Sequence, residues 1–481
     1  MKDIILLHRN FRLADNPALY HGSLRGSYCV LFVFDEIYWR GNGRSYRQLK
    51  FAVECLAELD ESLRKLNTRA QVFSGSLTDL ADLLNRSFPN ARIHFNQSTD
   101  TEYYRNEITS FKSTIGPLRY KEYPDFGVQL SNFDRDRWSQ DWEKQMRMPI
   151  LPDPSACAQM EIKLPGLKSI DEFFVLNKAK FSVYSNIQEG GSKKASLLLE
   201  TFLGERCDGY QTKMSNPNDA ESACSRLSPH IAFGSISLRT VFQRLERAIP
   251  QSEFKSDLNS FKRRLYWHCH FVQKLETEPE IEFRSMHPMC DALRESYNDE
   301  IIEKWITGQT GFPFLDACIL FLRDKGWINF RMRAMIMSFA SYNLWQPWQK
   351  TSPLLAELFV DYEPGIHISQ VQMQSGVTGI NLPRIYSVTK QSLEQDPHLQ
   401  WTTKRLPILA GLDQKKTHEA ELKGLYLEKI VDLKSSAKRA RELIWGIRGS
   451  REFKDLARKV YLKHGSRKRQ GRSAGANRSL K

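Results

Sequence analysis

Residues 305–339 read WITGQTGFPFLDACILFLRDKGWINFRMRAMIMSF. Two apolar segments, Leu315–Arg323 and Met332–Leu344, are set off by Gly308, Gly311, Pro313 and Gly326, the residues that punctuate helices. Apolar character all round a helix marks one buried on every side. Arg331 borders the second segment and Arg333 interrupts it, and a charge among apolar neighbours costs heavily unless it is paired. The acids of VDYEPGIHISQVQMQSG, residues 360–376, are natural candidates, and Arg333 is expected to pair with Asp361.

The same punctuated helical pattern runs from Ser192 to the end of this stretch and beyond, as in Lys194–Leu203, Leu238–Ile249 and Leu258–Leu275. Toward the N-terminus it changes. Short β-rich runs at Ile4–His8, Tyr28–Phe34, Ala70–Phe73 and Ile93–Phe95 alternate with helical patterns. The clearest of these is Ser45–Leu66, where Leu49, Val53, Leu56, Leu59, Leu63 and Leu66 line one face. Apolar strands joined by helices imply a parallel sheet covered on both faces. Residues 119–190, rich in Pro, Asp, Tyr and Trp, show no sustained period. The expected organisation is an α/β Rossmann-like domain over 1–118 and a connector over 119–190. An all-α domain over 191–457 and a basic tail over 458–481 follow.

At 481 residues, 41% hydrophobic and 26% charged, the chain has an ordinary globular composition, and its apolar runs are too short to cross a bilayer. MKDIILLHRN breaks the apolar segment a secretory signal needs, so a cytoplasmic protein is expected. Eight scattered cysteines without a Cys-x-x-Cys pair argue against a disulfide framework, and no metal site is expected. The net charge of +14 invites an anionic partner, but nine Lys/Arg and no acid lie between Arg458 and Lys481, leaving the body at about +5.

Four stretches carry chemistry. HRNFRLADNPAL, His8 to Leu19, ends a strand and holds Asp15-Asn16-Pro17, which can cap the next helix; its arginines read equally well as surface charges. CSRLSPHIAFGSISLR, Cys224 to Arg239, sets Ser225 and Ser228 before Pro229 at a helix start, either a plain cap or an anion cradle suited to a pyrophosphate. In FKRRLYWHCHFVQKLE, Phe261 to Glu276, Phe261, Arg264, Leu265 and His268 share a helix face bordered by Trp267. That face reads as a solvated stripe or as the floor of a cavity for a stacked ring. The fourth is 360–376, where Asp361 and Glu363 precede His367 and the glutamines 370, 372 and 374, a set of hydrogen-bonding groups too polar for core and too sparsely charged for a solvated loop.

Taken in order, HRNFRLADNPAL, SRLSPHIAFGSIS, the Trp of the next helix, W-x-x-G-x-T-G-x-P-x-x-D-A, GWINFRMR, D-x-E and TGIN-x-x-R-I-Y resemble the photolyase/cryptochrome flavoproteins, to about residue 410. The resemblance is to a divergent bacterial-type DNA photolyase branch. It implies a helical domain holding FAD, an N-terminal domain that in some members holds an antenna pigment of folate, deazaflavin or lumazine type, and a monomer. The partner it implies is DNA bearing UV-induced pyrimidine dimers. By position, Tyr210 and Cys224, Ser225, Arg226, Leu227 and Ser228 would contact phosphates and ribitol. Phe261, Arg264, His268, Phe330, Arg333, Asp361, Tyr362, Glu363 and His367 would surround the flavin. Arg264, Trp267, His268 and His367 would act on the lesion, while Trp267, Arg331, Arg384 and Gln391 would touch DNA. The 360–376 stretch is then read as a flavin edge, with its amides included.

The sequence departs from the family pattern at this site. Arg264 stands where an acid contacts the dimer, His268 where an arginine follows the indole, and His367 where an asparagine faces flavin N5. Phe330 replaces another asparagine, and Val371 with Met373 interrupts the usual tryptophan relay, leaving Trp345, Trp348, Tyr362 and Tyr386 as substitute stations. The expected activity is light-driven repair of cyclobutane pyrimidine dimers, with a preference for single strands permitted by the modest charge. A cryptochrome photoreceptor and a (6-4) photolyase, the latter using His268 and His367 as general acids, are the alternatives.

Overall fold

The N-terminal sheet is built from the apolar runs. The computed structural model describes residues 2–466, apart from 42, 126, 132 and 159–161. Strands β1 (Asp3–Leu7), β2 (Tyr28–Phe34), β3 (Ala70–Ser74) and β4 (Arg92–Asn96) match the expected runs and pair in parallel, with Ile5 opposite both Val30 and His94. Isoleucines 4 and 5 have no solvent exposure, as the burial of both faces requires. The helix Tyr46–Arg64 covers one face with Leu49, Val53, Leu56, Leu59 and Leu63, as the periodicity predicts.

Two strands come from the segment expected to be a connector. β5 (Tyr120–Tyr123) pairs in parallel with β4, and β6 (Leu167–Ser169) runs antiparallel to β3, giving the order β5-β4-β1-β2-β3-β6. The sheet is therefore mixed, and the α/β unit extends through the helix Ile170–Ser182, whose Ser169–Glu172 capping box fixes its start. Both strands are short edge strands with a polar composition, so they carry no apolar signature.

In the helical half, Trp305, Leu315, Leu322, Met332, Met335 and Ile336 form one buried core, as the opening stretch demands. Gly326 ends the helix Pro313–Lys325 in the left-handed region (φ 66°), and its carbonyl accepts from the Val360 amide (2.8 Å), which brings residues 360–363 beneath the next helix. That helix, Phe330–Ser338, passes into a π-helical turn at Phe339–Asn343 rather than continuing regularly. The expected tail is corrected in part. Residues 458–464 belong to the helix Arg451–His464, docked against Leu275 and Ile368, while 467–481 lie outside the described residues.

The arginines of the first motif are interior residues. Arg12 donates to the Gly234 carbonyl (3.1 Å) and pairs with Asp125, while Asp15 accepts from Ser237 (2.6 Å) and Arg239 (3.0 Å) across the two halves. Among the described residues, no helix is long and apolar enough to cross a membrane.

Candidate functional site

Arg333 and Asp361 form a two-pronged ion pair, Nη1–Oδ1 at 3.0 Å and Nη2–Oδ2 at 2.9 Å. Arg333 Nε also donates to the Ile328 carbonyl (2.6 Å), and its guanidinium lies over Phe359 at 4.2 Å. Planar fork-to-fork geometry leaves neither group free to turn. The expected pairing is present.

Glu363 is held from the other half of the molecule. Arg9, 1% exposed, forms an ion pair with Glu363 Oε2 (2.9 Å) and donates to the Thr99 carbonyl (2.7 Å) from a left-handed backbone (φ 52°). Burial pushes the Glu363 carboxyl upward in pKa and Arg9 opposes this; Oε1 is buried with no protein partner. Sequence reasoning missed Arg9. The clue was its place at the end of a fully buried strand, where a charge must find a partner.

The serine loop leaves the helix Pro217–Ala223 at Cys224 and enters a helix at Ser228 with Pro229 in its first turn. Arg226 takes a left-handed conformation (φ 60°), stacks on Trp327 at 3.9 Å and donates to Gln188 Oε1 (3.2 Å). Its Nη1 is buried without a hydrogen bond. Arg206 clamps the loop from behind, donating to the carbonyls of Cys224 and Ser225. Leu227 is buried and Ser228 exposed. The following helix spans only Ser228–Ala232, so its dipole is small. The Cys224 N–H is spent on the Ala220 carbonyl (3.0 Å) and that of Leu227 on Ser225 Oγ (3.4 Å), so the amides of Ser225, Arg226 and Ser228, with the Arg226 side chain, carry any attraction for a pyrophosphate.

The helix Lys255–Thr277 forms another wall. Phe261 packs edge-on against Phe202 (4.7 Å) and Tyr210 (6.0 Å), and Arg264 lies over Trp267 at 4.9 Å. Trp267 is 46% exposed, a large indole left facing solvent. Burial lowers the pKa of His268 to about 4. His367, on the helix Pro364–Ser375, is lowered to about 4 as well, and its Nε2 lies 3.0 Å from the Ser352 carbonyl, which selects the Nε2–H tautomer. Its ring meets Tyr362 edge-on at 5.3 Å, and burial raises the Tyr362 pKa.

Several expectations are corrected. Gln372 does not face a ligand; its amide accepts from the Met286 N–H (2.7 Å) and donates to the carbonyls of Ile281 (2.8 Å) and Arg284 (2.9 Å). Alternate residues on a helix diverge by about 200°, so three glutamines two apart cannot all edge one ring. Gln391 is 5% exposed on the inward face of the helix Val388–Gln395 and cannot reach DNA. Phe330 is 52% exposed, at most a rim residue. Arg384 is exposed and Arg331 half-buried, with its Nε unpartnered.

A cavity opens where β1, β2 and β4 end, the point at which strand order reverses. His8, Asp35, Tyr38, Tyr103 and Tyr104 line it, and His8 stacks on Tyr104 at 3.7 Å.

The family profiles "DNA photolyase" and "FAD binding domain of DNA photolyase" match residues 3–110 and 261–446. The chain belongs to the photolyase/cryptochrome family. Cryptochrome-2 of Gallus gallus is 23% identical over 450 residues, covering 85% of this chain and 75% of that protein. The fold is shared with a bacterial class III photolyase from Agrobacterium tumefaciens (TM-score 0.81, 21% identity, 93% of this chain and 98% of that one). It is also shared with an archaeal photolyase from Sulfolobus tokodaii solved with two FAD molecules (TM-score 0.78, 21% identity, 93% and 100%). The helical half is a FAD-binding domain. The buried Glu363 Oε1, which has no protein hydrogen bond, and Arg226 Nη1, whose recorded contact is a 3.6 Å ion pair with Glu221, fit a polar cofactor.

Proposed function

We propose that this protein is a light-driven DNA repair enzyme that splits cyclobutane pyrimidine dimers, favouring single-stranded DNA. The observation that carries this reading is Trp267, an indole standing 46% exposed with Arg264 stacked on it, on the helix that also contributes Phe261 and His268. An exposed aromatic face offers a flipped base pair of rings a surface to stack on, and flipping costs least for a lesion or an unpaired strand. Bound FAD supplies the electron that light drives into the dimer.

The chain's own residues bind and orient. Tyr210, Arg226 and the amides of Ser225, Arg226 and Ser228 hold the phosphates and ribitol. Arg333 keeps Asp361 oriented beside the ring, and Glu363 Oε1 takes a donor from the cofactor. Arg264, in place of the family's acid, meets the dimer's carbonyl edge as a cation, and Arg331 and Arg384 hold backbone phosphates. Trp345, Trp348, Tyr362 and Tyr386 are the stations by which the ring is reduced. A second pigment, of folate, deazaflavin or lumazine type, or a second flavin as in the Sulfolobus tokodaii protein, would occupy the cavity at the ends of β1, β2 and β4. The protein works as a cytoplasmic monomer.

A photoreceptor is the second reading, favoured by the similarity to vertebrate cryptochromes. Against (6-4) repair, burial keeps His268 and His367 neutral at neutral pH, so neither is an imidazolium acid. The test is to reduce the flavin-loaded protein, illuminate it with dimer-bearing oligonucleotides and follow dimer loss. Loss in light only, faster on single strands, is expected. Trp267→Ala should weaken damaged-DNA binding about tenfold or more, from lost stacking of roughly 1–3 kcal/mol per base, with unchanged FAD content. No dimer loss on either substrate moves the protein to the photoreceptor class.

A further inference from the structure

Two turns beyond Trp267, the helix Lys255–Thr277 buries a lysine that nothing neutralises. Lys274 is 8% exposed, and its Nζ has no hydrogen-bond or ion-pair partner among the described residues; it lies over the Phe271 ring, 4.9 Å from the centroid. It lines a cavity with Arg135, His270, Gln273, Lys463 and His464. The neighbouring acid is already engaged, since Glu278 Oε2 accepts from Lys463 (3.1 Å) and His464. Arg135 is committed to the Gly465 carbonyl (3.0 Å) and to His270 Nδ1 (3.0 Å), which leaves the His270 proton on Nε2, 3.5 Å from Ser466 Oγ.

The Lys274 side chain is buried while its ammonium opens into the cavity beside a guanidinium, without the counter-charge that normally offsets the lost water. Burial and Arg135 together lower the Lys274 pKa to about 8. An oxyanion in the cavity removes that penalty and meets several donors at once.

We propose that this cavity binds one phosphoryl group, with Lys274 as its buried ligand and Arg135, Lys463 and the His270 N–H around the rim. Its place indicates two sources. Lys274 follows Trp267 by seven residues, on nearly the same helix face and about 10 Å along the axis. The exposed stripe formed by Arg263 and Trp267 leads toward it. One source is therefore a backbone phosphate of a bound strand; this arm rests on the DNA reading. The other is free phosphate, which does not.

The experiment titrates inorganic phosphate into the full-length flavin-loaded protein by calorimetry at fixed ionic strength, comparing wild type with Lys274→Met. At least tenfold weaker binding in the variant is expected. In parallel, an undamaged single-stranded oligonucleotide is bound over a range of salt, and the slope of log affinity against log salt is compared. A slope smaller by about 0.7 in the variant identifies a strand phosphate as the occupant. Weaker phosphate binding with an unchanged slope identifies free phosphate, and the site then stands whether or not dimers are repaired. Equal phosphate affinity and equal slope overturn the proposal. Should Lys274→Met fail to fold, Lys463→Ala at the rim replaces it, with about threefold weaker phosphate binding expected and equal affinity overturning the site.

Discussion

Asp361 and Arg333 settle each other's position. Replacing Asp361 by Asn keeps the shape but removes the charge that the guanidinium fork grips at 2.9 and 3.0 Å. Because Arg333 is 26% exposed, part of the loss is relieved by water; a destabilisation of about 2 kcal/mol is expected. Urea unfolding measures it, and flavin absorbance should fall in the same variant; full flavin occupancy would show that Asp361 does not orient the ring. This pair was legible in the sequence because a charge in an apolar helix must be answered by a counter-charge, and the 360–363 stretch offers acids next in the motif order. Gln391 was not, since an amide is at home on either face of a helix and only the packing chooses. Arg9 was half legible. Its charge was visible, but its burial came from residues more than three hundred positions away.

Between elements, the closest approach in the site joins the helix Lys255–Thr277 to Pro364–Ser375. A Cβ at Gly365 would fall 2.6 Å from Val272 Cα, backbone against side chain with nowhere to yield. Gly365→Ala should therefore push the Trp267 helix away from Asp361 and His367. A loss of roughly 2–3 kcal/mol is expected, together with reduced FAD content. Thermal melting and flavin absorbance report both, and a variant melting like wild type would mean the two helices are not in register as described. The helices themselves were readable from periodicity. The strands β5 and β6 were not, because a polar edge strand gains its order from a neighbour rather than from its own composition. The helix Arg451–His464 was likewise hidden in a basic run, and its docking against Leu275 and Ile368 comes from only a few apolar positions such as Val460.

Across the molecule, neutral histidines set the response to acid. Burial lowers His8, His268 and His367 to about 4, His230 to about 3 and His270 to about 2, against 6.5 for a free ring. Below pH 6.5 the unfolded chain therefore binds protons that the folded one refuses, and stability falls as pH drops toward 4. Asp316 and Glu282, raised to about 6, act the other way but are fewer. A net loss of a few kcal/mol between pH 7 and pH 5 is expected from urea midpoints; equal midpoints would mean that these rings titrate as if exposed. The same burial explains why the charge of +14 says little about the site. Arg9, Arg12, Arg44 and Arg47 are spent inside, against Glu363, Asp125, Asp100 and backbone carbonyls.

Local order along the chain determined the parallel strands β1 to β4, the helical second half, the Arg333–Asp361 pair and the family, because each depends on residues near in sequence or on motifs in a fixed sequence order. Only the tertiary structure decided that Arg9 reaches Glu363, that Gln372 braces backbone, that the connector closes the sheet and that Lys274 is buried without a partner. Those outcomes depend on which distant surfaces meet, and a side chain's type does not encode the neighbour that packing brings to it.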